Sequence, residues 1–396
     1  MNEMSADRPL YLAVAIWGLT IGGAGRRILT LVNGFAARGH AVDLLVLEPT
    51  APLTAELAPA VRLVPMVPPR WLLPFWPRGR RTRIRLAAPL LAAYLRRHRP
   101  QVLLSGASHM SLACLLATRL SGSSVPLVLR ASSHLSASAG ARGGIGARLT
   151  RLLLPAAAAV AAVSTAVADD IRRHTRIPPD RIVALPNPTA TPDLPLRAAA
   201  PLDHPWVAPG APPLILAVGR LVPEKDFATL LRAFALVRAA RPARLVILGE
   251  GRERAALERL AAELGLTADL LMPGYDPNPL RWMARAALLV SSSRWEGMPG
   301  VIIEALAVGC PVVATDCPGG SAEILGNGVW GRLAPVADPP ALAEQMLAAI
   351  AEPSPTDLMV RARAFDSEAA TLRYLAFLER VARPKRESPH RTQEEA

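Results

Sequence analysis

Ser291-Ser292-Ser293-Arg294-Trp295-Glu296-Gly297-Met298-Pro299-Gly300-Val301-Ile302-Ile303-Glu304-Ala305-Leu306 is the stretch whose reading decides the fold. Ahead of it, Ala287-Leu288-Leu289-Val290 is a short apolar run of buried-strand type. Behind it, Ala307-Val308-Gly309 closes a helix and Pro311-Val312-Val313-Ala314-Thr315 reads as the next strand. Strand, loop, helix and strand in that order make one βαβ repeat. The loop delivers the chain to a helix N-terminus, where unpaired N–H groups and the helix dipole favour an anion. Gly297 and Gly300 allow close approach of backbone to a ligand. Glu296 stands in the Gly/Pro loop and Glu304 in the helix after it. Either alone would more readily be a solvated charge. Together they suit a ligand with hydroxyls near one carboxylate and hydroxyls or phosphates near the other.

The chain has 396 residues, enough for two domains with cores of their own. It is 51% hydrophobic and 4% aromatic, which fits an Ala/Leu/Val-rich α/β protein. The formal charge is +13, and no acidic residue lies between Glu56 and Asp169. Such a surface expects an anionic partner, either nucleic acid or lipid headgroups. Cys114, Cys310 and Cys317 are scattered and offer no disulfide framework, as expected of a reducing compartment. The N-terminus lacks the pattern of a secretion signal, and no run reaches the ~20 apolar residues of a membrane span. The expected location is cytoplasmic, with peripheral attachment to the inner face of the cytoplasmic membrane.

Outward from the central stretch, the pattern repeats. Leu10 to Ile16 reads as a strand, Gly22-Gly23-Ala24-Gly25 as a glycine loop, and the residues up to Gly39 as a helix that Gly39 closes. The loop sits at a strand's carboxyl end, where open α/β sheets bind ligands, but it is not GxGxxG, which disfavours a dinucleotide. Further strands are read at 42–47, 102–105, 125–130, 159–164 and 182–185. His134 follows one of these strand ends. Residues 189–213 are Pro- and Ala-rich without periodicity and read as a linker. Leu214 to Gly219 opens a second domain, and Arg220 and Lys225 follow its first strand end. The expected division is 1–188, linker 189–213, 214–365, a final helix at 366–380 and a disordered tail at 381–396.

Residues 65–100 stand apart. Trp71, Phe75 and Trp76 lie among prolines, and Arg78, Arg80, Arg81, Arg83 and Arg85 come next. Aromatic and Arg side chains together suit a lipid–water interface, with about 1 kcal/mol per basic residue near an anionic surface. Trp71, Phe75, Trp76, Arg78, Arg80, Arg81 and Arg83 are therefore the candidate membrane contacts. Nucleic acid would use similar residues, but no nucleic-acid-binding motif accompanies them, so it is not the expected partner.

Arg294-Trp295-Glu296-Gly297-Met298-Pro299 through Glu304-Ala305, then Gly309-Cys310-Pro311-Val312-Val313-Ala314-Thr315-Asp316 and Cys317-Pro318-Gly319-Gly320 with Glu323-Ile324-Leu325, resembles the Glu-x7-Glu signature of retaining GT-B glycosyltransferases of family 4. Gly274-Tyr275 and Asn278-Pro279 extend the resemblance. It is strongest over 214–330 and weaker from Gly22 to Pro188. The resemblance implies an α/β protein of GT-B architecture, two Rossmann-like domains facing a central cleft. It implies transfer of a sugar, with retention, from a nucleotide-sugar donor to a hydroxyl of a lipid-linked or polysaccharide acceptor. The variant Cys-Pro-Gly-Gly resembles bacterial surface-polysaccharide enzymes, many of which use a UDP-hexose or UDP-N-acetylhexosamine.

Carried over position by position, the resemblance implies that Arg220 and Lys225 hold the donor diphosphate, with amides near Gly300. It gives Glu296 the donor sugar, positioned by Gly297, Met298 and Pro299, and gives Glu304 the ribose. Gly22 and Gly23 would approach the phosphates, Met272 and Tyr275 the base, and His134 the sugar at the reacting centre. No Asp-x-Asp occurs, and cationic side chains can replace a metal at a leaving diphosphate. No tightly bound metal or other cofactor is expected. A nucleotide-sugar binding protein without turnover and an Arg-rich nucleic-acid-binding protein are the alternatives.

Overall fold

The computed structural model describes residues 9–20, 22–68, 79–137, 152–352 and 357–383. Among them, two parallel sheets build two lobes. The first contains β1 (Tyr11–Ile16), β2 (Ala41–Val46), β3 (Val61–Pro65), β4 (Val102–Ser105), β5 (Leu127–Ala131), β6 (Ala159–Ala162) and β7 (Ile182–Ala184), in the order β3-β2-β1-β4-β5-β6-β7. The second contains β8 (Leu214–Val218), β9 (Arg244–Leu248), β10 (Leu270–Gly274), β11 (Leu288–Ser291), β12 (Val312–Thr315) and β13 (Arg332–Ala334), in the order β10-β9-β8-β11-β12-β13. Both are doubly wound: strand order reverses between β1 and β4, paired Leu12 to Val102, and between β8 and β11, paired Ile215 to Leu288.

The continuous apolar runs explain the burial. Leu-Ile-Leu-Ala in β8 and Leu-Leu-Val-Ser in β11 are buried along their length, as strands covered on both faces by helices must be. Helix α1 (Gly23–Ala36) buries Ile28, Leu29, Leu31, Val32 and Phe35 on one stripe. Gly39 then turns the chain with φ +82°, a conformation that favours glycine.

β3 lies at the edge of the first sheet and was not read from sequence. Its burial, Val61 inside and Pro65 exposed, carries little apolar signal. The segment expected as plain linker holds a short helix, Leu194–Ala198, with Leu194 and Ala198 buried. The closing helix, Ser367–Ala382, buries Tyr374, Leu375, Phe377 and Leu378 in the core that β1, β2 and α1 share. At Gly34 of α1, an added Cβ would stand 2.8 Å from Thr371 Cγ2, so helix and helix meet closely. Ala190 of the linker pairs with Asp366 just ahead of the closing helix. The chain thus crosses between lobes twice at one place. Residues 139–146, and the tail expected to be disordered beyond residue 383, lie outside the described residues.

Candidate functional site

The two loops that follow β8 and β11 flank the reversal point of the second sheet, where α/β sheets leave a crevice. They are tied to one another. Lys225 Nζ donates to Glu296 Oε1 at 2.5 Å, and Ser293 Oγ donates to the same oxygen at 2.7 Å. Ser292 Oγ donates to the Lys225 carbonyl at 2.9 Å, and Arg294 N to the Glu224 carbonyl at 2.9 Å. Arg294 Nε donates to Asp226 Oδ2 at 2.9 Å. Asp226 holds a left-handed backbone, φ +46°, and its carboxylate also accepts from Thr229, capping the helix Phe227–Ala240. Arg220 differs from these: its side chain is 71% exposed and, among the described residues, pairs with Glu224 at 3.4 Å. The result is one cation and one carboxylate in fixed contact, with a second, largely exposed cation in the same loop.

The backbone of Glu296 is cradled by the Cys-Pro-Gly-Gly turn. Glu296 N donates to the Pro318 carbonyl at 2.9 Å. A Cβ on Gly319 would stand 2.3 Å from the Glu296 carbonyl oxygen, and Gly319 has φ +136°. Only glycine serves there. Cys317 lies in the same turn, and burial pushes its thiol up to about 11. It stays protonated and inert near neutral pH.

The loop reaches across to the first lobe. Ser164 Oγ donates to the Gly297 carbonyl at 3.0 Å, and Thr165 N to Glu323 Oε2 at 2.8 Å. Asn187 Nδ2 donates to the Met298 carbonyl at 3.5 Å. A Cβ on Gly297 would meet the Ser132 carbonyl oxygen at 2.2 Å. Met298 is buried in a core that also holds Val163. The signature helix, Gly300–Ala307, places Glu304 opposite α1, where Arg27 Nη2 donates to Glu304 Oε1 at 2.6 Å. Pro299 precedes this helix as its cap residue, with no side-chain capping bond.

On the first lobe, Gly22 caps α1 with φ +126°, and a Cβ at Gly22 or Gly23 would meet nothing within 4 Å. The loop is open. His134 lies just past β5, its side chain 12% exposed, with Nδ1 3.3 Å from Asp170 Oδ1 and 3.2 Å from Ser136 Oγ. Burial holds the imidazole below its ordinary value, against the opposing pull of the Asp170 charge. Asp170 is itself buried; burial would raise its carboxyl, but hydrogen bonds from Ser136 and Leu135 hold it low.

Two expected base contacts lie at the edge strand β10. Tyr275 is 49% exposed, while the Met272 carbonyl already accepts from Arg254 at 3.1 Å. Trp71, Phe75, Trp76 and Arg78 lie outside the described residues, as do the side chains of Arg80 and Arg81. Arg83 departs from the expected outward orientation. It donates to the Leu47 carbonyl at 2.8 Å, pairs with Glu48 at 3.4 Å and stacks over Trp17 at 5.2 Å. These partners hold its guanidinium against the first lobe.

Sequence reasoning missed Arg27, Ser164, Asp170 and Ser293. Arg27 left a signal: a charge on the same stripe of α1 as Leu31 and Phe35, where an apolar residue was due.

Comparison with known proteins identifies the family. The family Glycosyl transferases group 1 matches residues 202–365, and Glycosyltransferase Family 4 matches 21–191. The two matches fall on the two lobes in turn and together take in most of the chain. The chain belongs to this glycosyltransferase family. Among curated relatives of this glycosyltransferase chain is the Campylobacter jejuni N-acetylgalactosamine-N,N'-diacetylbacillosaminyl-diphospho-undecaprenol 4-alpha-N-acetylgalactosaminyltransferase. It is 41% identical over 122 residues, 31% of this chain and 33% of that protein. The Rhizobium meliloti lipopolysaccharide core biosynthesis glycosyltransferase LpsE is 34% identical over 28% of this chain and 32% of its own length. The matched stretch thus spans about a third of these relatives. Anabaena HepE, solved in complex with UDP-glucose, superposes with a TM-score of 0.73 at 18% identity, over 94% of this chain and 100% of that one. A Rickettsia africae glycosyltransferase gives 0.69 at 18% identity, over 94% and 98%. At such identities the likeness is one of fold: two Rossmann-like lobes about a cleft, the GT-B architecture.

Proposed function

We propose that this chain transfers a sugar, with retention, from a nucleotide-sugar donor to a hydroxyl of a lipid-linked or polysaccharide acceptor. The observation that carries this reading is the Lys225–Glu296 contact at the reversal point of the second sheet, beside the exposed Arg220. A departing nucleoside diphosphate gains negative charge as the anomeric C–O bond breaks. Lys225, held in place by Glu296, and the more exposed Arg220 supply cations for that charge, and the amides at the start of the signature helix add to them. Glu296 commits one oxygen to Lys225 and Ser293, which leaves the other for sugar hydroxyls. It is assigned no covalent role. The acceptor oxygen attacks the anomeric carbon from the face the phosphate leaves, and a phosphate oxygen takes the acceptor's proton. The products are a glycoside and a nucleoside diphosphate. His134 contacts the sugar and, held neutral by burial, offers a hydrogen bond without adding charge.

The donor expected from the resemblance is a UDP-hexose or UDP-N-acetylhexosamine, and the relatives that act on diphospho-undecaprenol or lipopolysaccharide core support a lipid-linked acceptor. The acceptor side would lie on an anionic membrane surface. In support, Val67 and Leu86, on either side of residues 69–78, are 40% and 45% exposed, and the last turn of α2 (Arg80–His98) carries Arg96, Arg97 and His98. No described helix is long and apolar enough to cross a membrane.

The test is nucleoside-diphosphate release from a panel of UDP-, GDP- and ADP-sugars with bacterial lipid extract as acceptor. Release from one donor, dependent on extract and lost in Lys225→Ala and Glu296→Ala, supports the reading. If none of UDP, GDP and ADP raises the melting temperature, the donor site is misassigned. Co-sedimentation with anionic but not neutral vesicles tests the membrane surface.

A further inference from the structure

The Arg27–Glu304 contact joins a buried cation of the first lobe to a carboxylate of the proposed donor site. The Arg27 side chain is 7% exposed and the Glu304 side chain 20%. Residues 277 positions apart meet at 2.6 Å. Nothing about α1 alone calls for an arginine here. Arg26, its neighbour, reaches outward to Glu56 at 3.3 Å. Arg27 instead sits on the buried stripe, within the first turns of a helix whose N-terminal dipole repels a cation. A buried ion pair is poor evidence of a stabilising role, because desolvation of both charges offsets their attraction. Its geometry makes better sense as a means of placing Glu304.

Gly300 supports this. A Cβ there would stand 2.2 Å from Arg27 Nη2, 3.1 Å from Cζ and 3.3 Å from Nε. The guanidinium therefore lies in the space a side chain at Gly300 would fill, and the glycine makes room for it. The bond to Arg27 takes Glu304 Oε1 and leaves Oε2 for a ligand hydroxyl.

We propose that Arg27 is a positioning residue of the donor site. It fixes the Glu304 carboxylate for the ribose hydroxyls, and because it comes from the other lobe, it makes ribose recognition depend on lobe closure. This rests on the donor-site reading of Glu304 given above. The expected consequence is selective. Arg27 acts on the ribose through Glu304, not on the diphosphate or the base.

The experiment measures binding of UDP, GDP and ADP and of their 2′-deoxy analogues by titration calorimetry. Wild type should prefer one ribonucleotide over its 2′-deoxy form by about tenfold or more, as expected for a buried acceptor left without its hydroxyl partner. Arg27→Met should bring the ribonucleotide down to the deoxy level while deoxy affinity stays within about twofold. Arg27→Lys should restore part of the preference. Gly300→Ala, which keeps both charged groups but displaces the guanidinium, should act like Arg27→Met with its melting temperature preserved; it covers the case in which Arg27→Met fails to fold. Arg27→Met combined with Glu304→Gln should be no worse than either alone. An Arg27→Met or Gly300→Ala protein that keeps the full ribose preference overturns the inference. So does equal weakening of ribo and deoxy forms, which would put Arg27 on the phosphates or in the fold. Wild-type protein that binds none of the three nucleotides overturns the donor-site reading and this inference with it.

Discussion

The two lobes carry the same doubly wound topology but treat their strand ends differently. In the second lobe, the loops after β8 and β11 are locked together through Lys225–Glu296, Ser292–Lys225, Arg294–Asp226 and the Gly319 cradle. In the first lobe, the loop after β1 leaves space at Gly22 and Gly23, where an added Cβ would meet no described atom within 4 Å, and the loop after β5 presents a histidine whose side chain is 12% exposed. The difference follows from what each face is proposed to handle. A leaving diphosphate carries the same charge whatever the sugar, so fixed cations that need no rearrangement stabilise it best. An acceptor varies in shape and polarity, and an open loop lets that variation in.

If the second lobe is the preorganised half, its polar pairs should be the most costly to break. Lys225→Ala removes a fixed cation and leaves the Glu296 carboxylate, 12% exposed, without its partner. We expect kcat to fall about 10²–10³-fold, the scale seen when one preorganised stabiliser of transition-state charge is lost. A Lys225→Ala enzyme that turns over within threefold of wild type would place the diphosphate elsewhere.

Arg130 tests the join between the halves. It is 1% exposed and finds only neutral acceptors: Tyr374 OH at 3.2 Å, the Gly106 carbonyl at 2.9 Å and Asn187 Oδ1. Tyr374 belongs to the closing helix and Asn187 reaches the Met298 carbonyl, so one guanidinium touches both chain crossings. Arg130→Met would leave several buried acceptors unpaired, at about 1–3 kcal/mol each. The expected loss is about 3 kcal/mol or more in urea unfolding. A loss under about 1 kcal/mol would mean that water replaces the guanidinium and the hinge needs no clamp.

Gly297→Ala is narrower. Its Cβ would meet the Ser132 backbone oxygen at 2.2 Å, and backbone on both sides has little room to give. The lobes must part by a fraction of an ångström. Donor binding to the second lobe alone should change little, while kcat falls by up to about 10²-fold from misplacement of the reacting groups. Equal loss of nucleotide affinity would show that the loop itself, not the closure, is disturbed.

These cases show what the sequence makes legible and why. The second lobe's loops were readable because their geometry is enforced locally: glycines, prolines and charges within a few positions of one another narrow the backbone to one course. The strands were readable as unbroken apolar runs, β8 and β11 most plainly. Arg27, Asp170 and Arg130 escaped because each has a partner far along the chain, Glu304, His134 and Tyr374 in turn, brought near only by the fold. Arg130 ends a buried strand and Arg27 interrupts an apolar stripe; each was a charge where none was due, without a clue to its partner. The contacts of Arg83 were illegible for a related reason. It stands in an Arg-rich run, but Trp17, Leu47 and Glu48 lie under it in space, and no feature of the run itself announces them.

The smallest effect belongs to the first lobe, at His134. Three ionisable or charged groups face its imidazole: Asp170, Arg173 and His174. Burial is the largest influence and favours the neutral ring, as do Arg173 and His174, while Asp170 alone favours the imidazolium. The net direction is down. A histidine lowered in the folded state binds fewer protons folded than unfolded once the pH drops below its ordinary value of about 6.5. Stability should therefore be unaffected by this group above that pH and fall as the pH falls beneath it. Removing the imidazole in His134→Gln removes the dependence, so the melting temperature of the variant should decline less than wild type between pH 7 and pH 5. The difference in slope is bounded by one proton, about 1.4 kcal/mol per pH unit. Asp170→Asn should steepen the wild-type decline instead, since it takes away the one neighbour that favours the charged ring. Parallel curves for wild type and His134→Gln would mean that the ring meets solvent freely, and the sheltered histidine that sets this lobe's open face apart from its surroundings would lose its basis.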